Sequence, residues 1–248
     1  MRQALMASVR EALDRPWVLD MDATIKPLYG RQEGAEVGYN PHKPGRPSHV
    51  LHTFWVGNLR LVLDAVLSSG KQHTSGHAKA AMARLLDELG DKAPALVRGD
   101  SGYGNEGILL TLEERDQPYL LRLRQTKNVQ RLVAQQFSRQ DWSRPDNQGC
   151  QMVEDHLQLH GWSKKRRVII VRQRIRGGIA RERRIDGRQL RLDLAGPSVH
   201  EGERLWEYAV FVTDLDYPLE AIGQLYRDRA DAENAFDELK NPNGCPGA

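Results

Sequence analysis

Residues 226–240 read YRDRADAENAFDELK. Their spacing predicts a helix with Tyr226, Arg229 and Glu233, at offsets of three and four, on one face. Lys240 lies seven residues past Glu233 and extends that face by two turns. The face carries an aromatic hydroxyl, a fixed cation, a carboxylate and a flexible cation. That mixture suits metal-assisted chemistry on a phosphate backbone, because a carboxylate ligates a hard cation while guanidinium and ammonium groups hold phosphate. An exposed helix laced with ordinary ion pairs uses the same residue types, and Arg229 with Glu233 alone is a common i,i+4 pair. Aspartates upstream in suitable settings separate the two.

Two such settings exist. Residues 17–24, WVLDMDAT, form an apolar run interrupted by aspartates. On a strand, Asp20 and Asp22 share one face and Leu19 and Met21 the other. Two carboxylates on one face of a core strand repel each other and cost desolvation unless something positive is near. A divalent cation at Asp22 is one compensation, a buried Arg the other. Residues 95–99, ALVRG, then lead into Asp100, Ser101 and Gly102. A strand ending in a carboxylate, then glycines and a helical stretch over 105–115, puts that carboxylate where α/β sheets receive ligands. Capping the following helix is the alternative role for Asp100.

The remaining chain predicts a helix over 2–14, stopped by Pro16, and strands over 50–56 and 59–67 around Gly57-Asn58. An amphipathic helix follows over 74–89, and strands over 118–124, 165–176, 179–194 and 206–213. The 226–240 helix starts near Leu219. Residues 26–49 are turn-rich and include GYNPHKPGRPSH, with Lys43 and Arg46. Residues 160–191 hold twelve of the 36 Lys and Arg, among them Lys164, Lys165, Arg166 and Arg167, against two acids, Glu182 and Asp186. The rest of the chain has 24 bases and 31 acids. A basic stretch on an otherwise acidic chain is a candidate polyanion-binding surface.

Y-(2)-R-(3)-E-(6)-K, from Tyr226 through Lys240, resembles the signature around the third acidic residue of bacterial insertion-sequence transposases of the DDE type. The D-A-T at Asp22 and the RGDSGYG around Asp100 resemble the first and second acidic motifs. GYNPHKPGRPSH is similar to the loop after the first strand in DDE domain group 1. The resemblance implies a mixed α/β, ribonuclease-H-like sheet with flanking helices and a β-rich basic insertion before the last acidic helix. The implied division is a remnant helix over 1–15, the first part of the core over 16–125, the insertion over 126–215, and the signature helix with a truncated tail over 216–248.

The resemblance also implies chemistry. Asp22, Asp100 and Glu233 would hold two Mg²⁺ ions, with Mn²⁺ able to substitute, for cleavage of transposon ends and strand transfer by in-line displacement. Tyr226, Arg229 and Lys240 would hold flanking phosphates, and Lys43, Arg46, Lys164, Lys165, Arg166 and Arg167 would contribute sequence-independent DNA affinity. The implied partners are transposon-end and target DNA, with a homodimer or an intact transposase in a synaptic complex and no membrane. The expected location is the bacterial cytoplasm, at the nucleoid. Three other readings fit the same residues: a nuclease or resolvase without strand transfer, a non-catalytic DNA- or transposase-binding inhibitor, and an inactive gene remnant.

Composition agrees with a folded domain: 40% of residues are hydrophobic and 28% charged. No apolar run is long enough for a membrane span, and the N-terminus lacks the apolar stretch of a secretory signal. Cys150 and Cys245 are too few for a disulfide framework or a zinc site of their own.

Overall fold

A computed structural model describes residues 2–30, 32–38, 40, 43–59, 61–71, 74–174 and 206–229. The chain opens with α1 (Arg2–Val9) and a 3-10 turn (Arg10–Asp14), then enters β1 (Val18–Pro27). A two-residue strand, β2 (Glu36–Val37), precedes β3 (Pro47–Val56) and β4 (Leu61–Ser69). Next come α2 (Thr74–Leu89), β5 (Leu96–Gly99), α3 (Glu106–Glu113), β6 (Tyr119–Arg122) and α4 (Lys127–Gln135). The last described elements are β7 (Cys150–Leu157), β8 (Arg166–Arg174), β9 (Trp206–Thr213) and α5 (Leu219–Arg227).

All nine described strands join one sheet, in the order β2-β3-β1-β5-β6-β9-β8-β7, with β4 on the other side of β3. β1, β3 and β4 form an antiparallel meander. β5 and β6 run parallel to β1. The order β4-β3-β1-β5-β6, with that mix of directions and helices on the sheet, is a ribonuclease-H-like core. β9, β8 and β7 continue the sheet antiparallel from β6.

Period-two alternation sends the side chains of the central strands to two separate cores. Leu19, Met21, Val97, Leu121, Val153, Ile170 and Val212 pack on one face with Met82, Leu85, Ile108 and Leu132 of α2, α3 and α4. Leu96, Leu120, Met152, Ile169 and Phe211 pack on the opposite face with Ile222 of α5. Because Leu19 and Met21 belong to the first face, Asp20 and Asp22 point to the second, where α5 lies.

The expected elements appear at 74–89 and 206–213 with the boundaries read from sequence. β1 runs three residues past its expected end. The Gly57-Asn58 hairpin turns through a short 3-10 segment, Gly57–Leu59. A Cβ on Gly57 would sit 2.5 Å from Asp20 Oδ2, so this turn is closed tightly over the Asp20 carboxylate. The strand expected over 179–194 lies outside the described residues. Among those described, no helix is long and apolar enough to cross a membrane.

Candidate active site

Parallel pairing aligns Met21 of β1 with Gly99 of β5, and Gly99 with Leu121 of β6. The next residues in the three strands are Asp22, Asp100 and Arg122. Neighbouring strands lie about 4.8 Å apart, so the two aspartates stand side by side at the C-terminal edge of the parallel strands. Each arrives there for a local reason. Leu19 and Met21 are fully buried, which fixes the facing of β1. Beyond β5, Gly102 N–H donates to Asp100 Oδ1 at 2.9 Å and Tyr103 N–H to the Asp100 carbonyl at 3.1 Å, forming a tight turn. Gly104 permits that turn to press against β6, since a Cβ there would lie 2.6 Å from the Arg122 carbonyl oxygen. Tyr103 is fully buried, and its hydroxyl meets His52 Nδ1 at 3.2 Å, anchoring the loop from beneath. Asn105, not Asp100, caps α3, accepting from Ile108 N–H.

Electrostatics distinguish the carboxylates. Asp20 is buried, and its two oxygens take Arg98 Nε and Nη2 at 2.7 Å each. The third nitrogen, Arg98 Nη1, donates to the Leu225 carbonyl near the end of α5. Burial raises the Asp20 pKa although Arg98 opposes it. Asp20 is thus compensated by a side chain, the second of the two possibilities read from sequence. Asp22 is half-buried and meets Arg229, whose Nη2 donates to Asp22 Oδ1 at 3.3 Å and to the Met21 carbonyl at 3.2 Å. Asp100 has its pKa raised by burial and by the Asp22 charge, against the Gly102 N–H, Arg229 and Arg124. A carboxylate that has lost water and feels a second one beside it binds a hard cation readily. The oxygen-only donor set fits Mg²⁺ or Mn²⁺. Among the described residues, no three His, Cys, Asp or Glu side chains cluster closely enough to hold a metal by themselves.

Arg229 is brought in by α5. The helix ends at Arg227 with Asp228 at its C-cap, and Tyr226 packs its ring on Phe211, centroids 4.1 Å apart. Asp100, Ser101, Arg122, Gln148, Tyr226, Arg227 and Arg229 line one cavity of about 470 Å³. Tyr226 and Arg229 therefore face the same space as Asp100. Glu233 and Lys240, and the basic positions from 175 to 191, lie outside the described residues.

The expected DNA-contacting residues divide into three groups. Lys43 and Arg46 are exposed and gather over the exposed Tyr29 ring, at 5.7 and 4.4 Å from its centroid. Lys165 is exposed, and Lys164 reaches Glu113 at 3.1 Å with most of its side chain in solvent. Arg166 is only 3% exposed and turns inward to Glu106 and Glu113, while Arg167 pairs with Glu154 at 2.6 Å. Four groups at this edge were not singled out from sequence: Arg98, Arg122, Arg124 and the His52–Tyr103 pair. A charge inside the apolar run ALVRG was the available signal for Arg98. The alternation in LLRLR was the signal for the other two arginines.

Residues 1–243 match the family model described as transposase DDE domain group 1. No curated protein matches the chain. Among solved structures, a piggyBac transposase synaptic complex with hairpin DNA is 11% identical, TM-score 0.48, covering 96% of this chain and 44% of that one. The NurA nuclease from Sulfolobus solfataricus is 9% identical, TM-score 0.40, with 93% and 80% covered. The Mos1 mariner paired-end complex with Mn is 15% identical, TM-score 0.29, with 48% and 40% covered. The chain thus spans less than half the length of the piggyBac transposase.

Proposed function

The chain belongs to the transposase DDE domain group 1 family, and we propose that it carries the catalytic centre for metal-dependent cleavage of transposon-end DNA and for strand transfer by in-line phosphoryl displacement. The observation that supports this most directly is the register of β1 with β5, which sets Asp22 and Asp100 side by side. In this reading Asp22 and Asp100, with Glu233, hold two Mg²⁺ or Mn²⁺ ions. Held there, the ions would supply Lewis-acid activation for the attacking water or 3′-hydroxyl and charge stabilisation for the leaving 3′-oxygen.

The chain's own residues do the rest. Arg98 holds Asp20 and the end of α5, and so keeps Asp20 out of the ligand set. Arg229, at Asp22, supplies a fixed positive charge against which the scissile phosphate is oriented. Tyr226 forms a wall of the cavity in which the strand lies. Lys43, Arg46, Lys164 and Lys165 add salt-dependent affinity. Arg166, with its guanidinium held by Glu106 and Glu113, belongs to the fold in this reading. Two copies bridging two DNA ends complete the proposal.

A non-catalytic DNA-binding role is the second reading. The Arg229–Asp22 pair favours it, since a side chain already compensates that aspartate. One experiment separates the two. Calorimetric titration of Mn²⁺ into the chain and into Asp100→Ala is expected to show saturable binding that the substitution removes, with the loss of at least tenfold in affinity. Identical titrations would leave only the binding role. Joining of a cleaved 3′ end to target DNA then distinguishes a transposase from a plain nuclease.

A further inference from the structure

β6 delivers two arginines to the same edge as the aspartates. Leu121 and Leu123 are buried on the α2–α4 side, which turns Arg122 and Arg124 to the side of α5 and the cavity. Arg122 is level with Asp100 by register and lines the cavity with it. Arg124 is exposed one step further out, and its charge reaches Asp100. Among the described residues, neither guanidinium makes a hydrogen bond or ion pair. The other arginines of the cavity are engaged: Arg227 with Asp146 and Gln224, Arg229 with Asp22.

Two unengaged guanidinium groups therefore stand on the same side beside Asp100, their backbone positions two residues apart, about 6.7 Å along an extended chain. This is comparable with the separation of successive phosphates along an extended nucleic-acid strand. Gln148, from the turn before β7, and Tyr226 line the same cavity as Arg122. A free, planar five-donor group beside a polar cavity is suited to bidentate phosphate binding.

We propose that Arg122 and Arg124 form a phosphate track that takes the DNA strand next to the scissile phosphate and aligns it with Asp22 and Asp100. They are positioning residues. The proposal rests on the DNA-processing reading above.

The test is binding of a 20-nucleotide single-stranded oligodeoxynucleotide, without divalent metal, across a range of salt. Each neutralised single-strand phosphate contributes about 0.7 to the slope of log affinity against log salt. Arg122→Ala and Arg124→Ala are each expected to flatten the slope by about 0.7, and the double variant by about 1.4. Arg122→Lys and Arg124→Lys are expected to restore it. Arg131→Ala, on the exposed side of α4, is the control and leaves it unchanged. Since neither guanidinium has an internal partner among the described residues, the variants should melt with the unaltered chain. DNA binding with an unaltered slope in the double variant would overturn the track and leave the DNA reading standing. Failure of the unaltered chain to bind the oligonucleotide would overturn both.

Discussion

Asp20 and Asp22 lie two residues apart on β1, yet their surroundings assign them different tasks. Asp20 is locked by a bidentate Arg98, and both side chains are only 4% exposed. Replacing Arg98 by Met would leave a buried carboxylate without a partner, a change that costs about 3–5 kcal/mol. The pH dependence has a definite sign. Burial already raises the folded-state pKa of Asp20, and loss of Arg98 raises it further. Such a group takes up its proton more readily when folded than when unfolded. The deficit of Arg98→Met is therefore largest at neutral pH and shrinks as pH falls toward the ordinary carboxylate range. Urea midpoints at neutral and mildly acid pH measure this; a deficit independent of pH would refute the assignment. Asp100 follows the same sign. Its raised pKa means that protons compete for this carboxylate at higher pH than for an ordinary one, so Mn²⁺ affinity should decline on acidification earlier than for a solvated aspartate. The aspartates themselves were legible from sequence because each is set in or directly after a short apolar run, Asp22 within β1 and Asp100 just past β5. Arg98 was not, because its partner stands 78 residues away.

At the scale of elements, α3 and β8 are joined by a charged clamp. Arg166 donates to Glu113 through Nε and Nη2, at 2.7 and 3.0 Å, and to Glu106 through Nη1 at 2.6 Å. Burial pushes the Glu113 pKa up, but Arg166, Lys164 and the Tyr119 hydroxyl outweigh it and hold it at about 2. A depressed folded-state pKa contributes stability above the unfolded value, and that stability is lost as pH falls. Glu113→Gln should thus cost about 2–3 kcal/mol at neutral pH. The difference from the unaltered chain should fade below about pH 4.5, the unperturbed range, and vanish near pH 2. Chemical denaturation across that window checks it. In the sequence, Arg166 is one of four consecutive bases and reads like its neighbours. Strand alternation selects it for the interior: β8 places Arg166 on the face of Val168 and Ile170, against α3, and Arg167 on the other. A base count cannot see that, because charge density is a property of the segment while facing is a property of the strand.

For the molecule as a whole, the sheet runs unbroken from the β1–β4 meander through β5 and β6 to β9, β8 and β7. One core cluster contains Leu19 and Phe54 from its first part and Val153, Val168 and Val210 from its last. A shared core predicts one cooperative transition. Fluorescence from Trp55, in the meander, and from Trp162, before β8, should report the same urea midpoint when each is followed after replacing the other tryptophans by Phe. Two separated midpoints would show the strands after β6 to be an independently stable unit. The sequence by itself determined the strand-borne aspartates, the amphipathic helix over 74–89, the final strand over 206–213 and the family, because those rest on local periodicity and on residues at fixed short spacings. Only the tertiary structure decided that β7–β9 extend the central sheet, that the Arg98 side chain answers Asp20, that Arg229 stands at Asp22, and that Arg122 and Arg124 are the unengaged cations among the described residues beside Asp100. Those outcomes depend on strand register and on which face α5 covers, and both are set by burial shared between segments far apart in the chain.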